Sequence, residues 1–224
     1  MGILGAVTKL VDQQRLWDKQ WLWMFEPDRT GEVVSVDCET TGFDTRKDDV
    51  VSIAAIPIRG SRILTSEAFR AVIRPEAAMR AEAMKVHRLR GSDVADARVI
   101  REVLPDFLKF VGTRPLVGYW IDYDATMLNR YTIEYYGLRL PNRRIEVSRL
   151  YYDRKYAKAP QGTEVDLRFA SMMADLGLPE REAHDAFEDA LAAAEMYVVL
   201  KDMIARGAYI PRRDRVRAEV AVGV

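Results

Sequence analysis

Glu32–Gly42 reads EVVSVDCETTG, and the rest of the chain is organised around it. Val33, Val34 and Val36 around Ser35 have the character of a short buried strand, which runs abruptly into Asp37, Cys38 and Glu39. Side chains alternate across a strand, so Asp37 and Glu39 project from one face. Two carboxylates at the end of a buried strand repel each other and are costly to leave unpaired. A divalent cation is the usual resolution, because hard oxygen donors suit magnesium or manganese. Thr40, Thr41 and Gly42 then turn the chain, and glycine is free to adopt backbone conformations that other residues avoid. Two solvated acids before a turn would read the same way, so a metal site requires further ligands from elsewhere.

The length of 224 residues bounds the chain to one large domain, or one domain with appendages. A hydrophobic share of 49% with 30% charged residues is that of a soluble globular protein. The 34 basic and 34 acidic residues cancel, so no global field advertises a nucleic-acid partner, although local patches on a neutral protein still bind phosphate. The single cysteine, Cys38, excludes an internal disulfide and fits a reducing compartment. No apolar run approaches the roughly 20 residues that span a bilayer, and the start of the chain lacks a secretory signal pattern. The expectation is a cytoplasmic protein with no transmembrane segment.

Along the chain, Ile3, Val7, Leu10, Gln14, Trp17, Trp21 and Met24 form one helical stripe, predicting an amphipathic, Trp-rich helix over residues 3–25. It either lies across the core or docks a protein partner, a second copy of the chain or a membrane surface. Val50–Ile58 reads as a second strand, Arg59-Gly60-Ser61 as a hairpin turn and Arg62–Ile73 as a third strand, with Pro57 expected at an edge or strand end. Helical character follows over Ala77–His87 and Val99–Val111, then a fourth strand over Pro115–Trp120, a helix over Asp124–Tyr136 and a fifth strand at Arg143–Val147. The remainder reads as helix to Arg206, broken near Pro160–Gly162 and Gly177–Pro179. The expected fold is α/β, a mixed five-stranded sheet flanked by helices with an extra N-terminal helix. Its segments are an N-terminal helix over 1–30, the α/β domain over 31–207 and a loosely held basic tail over 208–224.

Two later sites carry chemistry. Asp122-Tyr123-Asp124 follows the fourth strand, and Asp124 is expected to open a helix, where capping alone would explain an acid. His184 and Asp189 begin the last helix five positions apart, on neighbouring flanks, which suits two groups approaching one centre from different directions. A polar helix start and an exposed helix acid would explain them equally. Arg139–Lys158 interleaves Arg143, Arg144, Arg149, Arg154 and Lys155 with Tyr151, Tyr152 and Tyr156. That pattern fits either a single-strand path or a solvated helix face with its apolar side inward.

Taken together, Asp-x-Glu at 37 and 39, Asp124 after a strand, and His-x-Ala-x-x-Asp over 184–189 resemble the DEDDh branch of the DnaQ-like 3′–5′ exonucleases. These have a ribonuclease-H-like fold, shared by proofreading subunits of bacterial replicative polymerases and by ribonuclease T. The resemblance covers roughly Glu32–Arg206, and Met84-Lys85-Val86-His87 matches a further family stretch in part. It implies that Asp37, Glu39, Asp124 and Asp189 hold two magnesium or manganese ions and that His184 is the general base. It also implies that Thr40 and Thr41 border the terminal nucleotide of a nucleic acid with a free 3′ end. Single-stranded DNA in proofreading or repair is the first substrate reading. RNA trimming, or a catalytically silent nucleic-acid-binding module, is the alternative. Many relatives carry His-Asn where this chain has Tyr119-Trp120, and an aromatic there either stacks on a base or packs inside.

Overall fold

The opening strand, β1 (Val33–Thr40), runs past its apolar start and carries Asp37, Cys38, Glu39 and Thr40 within the sheet. The structure, a computed structural model, describes residues 3–76, 91–181 and 185–212. His184, His87 and the helix expected over Ala77–His87 lie outside the described residues. Six further strands follow among the described residues: β2 (Val50–Arg59), β3 (Arg62–Ile63), β4 (Phe69–Arg74), β5 (Arg98–Val99), β6 (Leu116–Gly118) and β7 (Arg144–Glu146). The sheet order is β5-β4-β2-β1-β6-β7, with β3 pairing β2, so seven strands replace the five expected. β1 is antiparallel to β2 along its length, from Val33 opposite Ile58 to Thr40 opposite Val50. It is parallel to β6 through Val34–Leu116 and Ser35–Val117.

The extra strands have simple causes. The expected third strand is interrupted by a 3₁₀ turn at Thr65–Glu67, which splits it into β3 and β4. β5 has two residues, too few for any periodicity to reveal. Pro57 lies in a central strand rather than at an edge, opposite Val34. Its carbonyl accepts from the Leu64 amide at 2.9 Å, so its nitrogen faces the same side. On that side β4 pairing has ended at Ala55 and β3 pairing begins at Ile58, and no ladder donor is required between them.

Helices cover both faces: α1 (Ile3–Arg15), α2 (Gly91–Val94), α3 (Ile100–Val111), α4 (Ile121–Tyr136), α5 (Val147–Lys155), α6 (Phe169–Asp175) and α7 (Ala186–Ala205). Val34, Val36 and Cys38 face a core built with Leu104, Phe107 and Leu108 of α3 and Met127 and Leu128 of α4. Val33 points the other way, into a cluster with Val147, Tyr151, Met196 and Leu200. α7 lies close on this second face because its buried positions are small: Ala186 and Ala190 meet Ala54 and Ile56 of β2. The Ser35 hydroxyl donates to the Ala190 carbonyl at 2.7 Å and fixes the helix against β1.

The N-terminal stretch is not one helix. α1 ends at Arg15, and the amides of Trp17 and Asp18 both donate to the Tyr136 carbonyl at 3.2 Å. Asp18 then caps a 3₁₀ helix over Lys19–Phe25. The break lets Leu16, Trp21, Met24 and Phe25 enter the main core, leaving Leu10, Trp17 and Leu22 exposed. Residues 16–25 are therefore part of the α/β unit, not a separate N-terminal segment. Ile210, inside the expected tail, is buried and its amide donates to the Arg154 carbonyl at 3.1 Å, and residues 213–224 lie outside the described residues. No helix among the described residues is long and apolar enough to cross a membrane.

Burial separates two variants of this stretch. Trp21→Ala is expected to cost about 3–5 kcal/mol in urea unfolding, as a large core truncation does. Leu10→Ala is expected to change stability by less than about 0.5 kcal/mol.

Candidate active site

Asp37 and Glu39 lie on the face of β1 that α7 covers, the face also marked by the Ser35 bond to Ala190. Asp189 sits in the first turn of α7. One carboxylate oxygen from each of Asp37, Glu39 and Asp189 lies within 4.8 Å of the others. Asp185, which the sequence reading passed over, accepts from the amides of Phe187 at 2.9 Å and Glu188 at 3.2 Å and so starts the helix that delivers Asp189.

Asp124 arrives from the opposite face. The ladder between β1 and β6 ends early, because the chain leaves β6 at Gly118 and turns into α4. Asp124 then takes the place of the missing strand, its Oδ1 accepting from the Cys38 amide at 3.0 Å, midway between Asp37 and Glu39 in sequence. It does not open the helix as expected. α4 starts at Ile121, whose amide donates to Glu146 Oε2 at 3.2 Å, and Asp124 completes the first turn. Gly118 allows the close approach, since a Cβ there would lie 2.9 Å from the Val36 carbonyl oxygen.

Burial is the largest influence pushing the Asp37 carboxyl well above its usual range, followed by the charges of Asp124, Asp189, Glu39 and Asp185. Burial, with Asp189 and Asp185, pushes Glu39 up to about 7. Asp124 is also raised by burial, with the Cys38 amide pulling it back. The set of half-buried oxygen donors, with each charge opposed by the others, fits a hard divalent cation. Among the described residues it is the cluster whose geometry admits a metal ion.

The turn after β1 is held from within. The Thr40 hydroxyl donates to the Gly42 carbonyl at 2.7 Å and lies 3.0 Å from the Tyr123 hydroxyl. Thr41 Oγ1 accepts from the Asp49 amide at 2.9 Å. Both hydroxyls, which the resemblance placed beside a nucleotide, are thus spent on the turn. Gly42 is needed for space rather than for an unusual φ: a Cβ there would lie 2.5 Å from the carboxylate of the buried Asp48. Phe43 follows it and is 76% exposed.

Tyr119 and Trp120 divide the two roles open to an aromatic here. Tyr119 is half-buried, its hydroxyl donating to the Leu167 carbonyl at 3.2 Å and its ring edge-on to Phe169 at 5.2 Å. Trp120 is exposed and adopts left-handed backbone angles, φ 58° and ψ 34°. For a bulky residue that conformation costs on the order of 1–3 kcal/mol. In the basic stretch the bland reading holds for three side chains. Tyr151 and Tyr156 are buried, and Lys155 pairs with Asp175.

Residues 34–197 match the family profile described as exonuclease (RNase_T). The chain belongs to this exonuclease family. It is a DnaQ-like 3′–5′ exonuclease domain, as the three motifs implied. Among curated proteins it is similar to the DNA polymerase III subunit epsilon of Aquifex aeolicus, 29% identical over 168 residues, covering 75% of this chain and 79% of that protein. The subunit epsilon of Rickettsia typhi is 26% identical over 175 residues, covering 75% of this chain and 72% of its own. The solved exonuclease X, in complex with 5′-overhanging duplex DNA, has the same fold with a TM-score of 0.60 at 19% identity, covering 80% of this chain and 95% of that one. Escherichia coli exonuclease I, in a single-stranded DNA complex, superposes with a TM-score of 0.67 at 17% identity, covering 80% of this chain and 42% of that one.

The raised carboxyls make this exonuclease domain sensitive to pH without metal. Glu39 titrates near 7 when folded against an ordinary 4.5, so between these values the folded state holds the extra proton. Stability of the metal-free protein is therefore expected to fall as pH rises from about 4.5 to about 7, by roughly 2–3 kcal/mol from Glu39, with the raised Asp37 and Asp124 adding to the loss. Urea unfolding in chelator at pH 5 and pH 8 measures the drop. Magnesium should restore the loss at pH 8, and Asp37→Asn should reduce it without metal.

Proposed function

We propose that this domain removes nucleotides one at a time from the 3′ end of single-stranded DNA, using two magnesium or manganese ions. The carrying observation is the meeting of Asp37 and Glu39 from β1 with Asp189 from α7, beside Asp124 from α4. A pair of divalent ions bound there would activate water and neutralise charge on the attacked phosphate and its leaving oxygen. In this reading Asp37, Glu39, Asp124 and Asp189 supply the ligand oxygens. Their mutual repulsion keeps the site receptive to cations, and burial excludes competing water. His184 takes the proton of the attacking water, since imidazole titrates near neutral pH. Thr40 and Thr41 shape the turn that borders the terminal nucleotide, and Tyr119 backs the surface beside it. Relatives that are polymerase subunits, and a fold neighbour bound to single-stranded DNA, favour DNA over RNA.

The experiment uses 5′-labelled single-stranded DNA and RNA of one sequence, with magnesium, manganese or chelator. Stepwise shortening from the 3′ end with either metal and none in chelator is expected, faster on DNA. Asp37→Ala should be inactive, and His184→Ala slower by about 10²–10⁴-fold. Shortening of RNA alone would move the protein to RNA trimming, and binding without shortening would make it a silent module.

A second reading concerns assembly. Leu10, Val11, Trp17, Leu22 and Trp23 are exposed on the N-terminal stretch, whose Leu16, Trp21, Met24 and Phe25 are core. An apolar surface of this kind suits a protein partner, and the relatives named as polymerase subunits favour a polymerase over a second copy. Leu10→Glu with Leu22→Glu should leave oligonucleotide shortening unchanged and abolish co-elution with the polymerase subunit from the same cell. A shift from dimer to monomer on light scattering would instead assign the surface to self-association.

A further inference from the structure

Trp120 is the one non-glycine residue of positive φ among those described, and it is 64% exposed. Neither core packing nor helix capping accounts for it: the side chain is largely in solvent, and it makes no cap bond to α4. We propose that Trp120, backed by Tyr119, is a base-stacking platform that holds the single strand beside the carboxylates. The inference rests on the exonuclease reading and adds to it the contact that grips the strand.

Position is the first support. β6 runs parallel to β1 with Ser35 opposite Val117, so residues 119 and 120 emerge at the same end of the sheet as Asp37 and Glu39. Tyr119 packs with Phe169 and the α7 side of the core, the side on which Asp37, Glu39 and Asp189 meet. The α4 turn that begins with Trp120 ends on Asp124, and its Tyr123 hydroxyl bonds the Gly42 carbonyl at 3.0 Å. The platform is thereby tied to the same turn that follows the catalytic strand.

Rigidity is the second. The Trp120 and Tyr119 rings stack with centroids 5.7 Å apart and planes 17° from parallel. Tyr119 cannot swing away, held by Leu167 at its hydroxyl and Phe169 at its edge. The indole lies near-parallel to the Tyr119 ring and is largely exposed to solvent. An indole face stacks on any base without reading its edges, which is the contact required by an enzyme that must accept every 3′ sequence. Preorganisation of the ring lowers the ordering cost of binding, a use that accounts for retaining a strained backbone at an exposed tryptophan.

The test compares wild type, Trp120→Asn and Trp120→Phe, since asparagine tolerates left-handed angles and phenylalanine keeps a stacking ring. Kd for fluorescein-labelled dT12 is measured in calcium, and KM and kcat in magnesium, on intact dT12 and on strands with one abasic site at each of the last positions. Trp120→Asn should raise Kd and KM by about ten- to a hundredfold on intact strand with kcat little changed, and Trp120→Phe should recover most of the loss. One abasic position should weaken wild type by a similar factor and leave Trp120→Asn unaffected. Equal Kd and KM for wild type and Trp120→Asn would overturn the platform, as would a loss in Trp120→Asn that every abasic strand shares equally. A wild type that binds with this pattern of Trp120 dependence but releases no nucleotide would overturn the exonuclease reading and keep the platform.

Discussion

The structure depends on one unfavourable interaction. Asp37 and Glu39 are confined to the same face of a central strand, and α7 closes over that face with a third carboxylate, Asp189. The helix is held there by alanines against the sheet and by the Ser35–Ala190 bond, so the repulsion cannot relax by moving the helix away. The apolar packing on either side of β1 supplies the opposing free energy. What results is a site that prefers protons or divalent cations to being empty and ionised, and that preference is the basis of its chemistry.

Close approach is the means by which Asp124 reaches the strand that carries Asp37 and Glu39. Gly118 lets β6 leave the sheet tightly beside Val36, so that α4 can bring Asp124 to the Cys38 amide. Gly42 lets the turn after β1 fold over the buried Asp48. Farther along that loop, Asp49 accepts from Arg130 at 2.5 Å and from the Tyr131 hydroxyl at 2.8 Å, which ties the loop to the same helix that carries Asp124. The carboxylates thus rest on a strand and two helices, with loops serving as spacers.

The aromatic residues have sorted themselves by a different rule. Trp21, Tyr151 and Tyr156 are interior, and their ring area adds to two separate cores on the two faces of the sheet. Trp120 and Phe43 stand in solvent at the end of the sheet where the carboxylates lie.

The family was legible from the sequence alone. Strand alternation placed Asp37 and Glu39 together, and three spaced motifs carried the family, because strand alternation and the spacing of acidic residues are written locally. The mixed α/β sheet and its principal strands and helices followed from periodicity for the same reason. Tertiary structure decided the rest. It divided the N-terminal stripe, since only packing against Tyr136 and the main core selects which tryptophans are buried. It put Pro57 in a central strand at a gap between two partners, and it moved Asp124 from a helix cap to a stand-in for a missing strand neighbour. It also separated Tyr119, half-buried and held by Leu167 and Phe169, from Trp120, held in the open by a backbone conformation that no local propensity favours. Each of these outcomes depends on which distant groups are left without a partner, and that is a property of the folded chain.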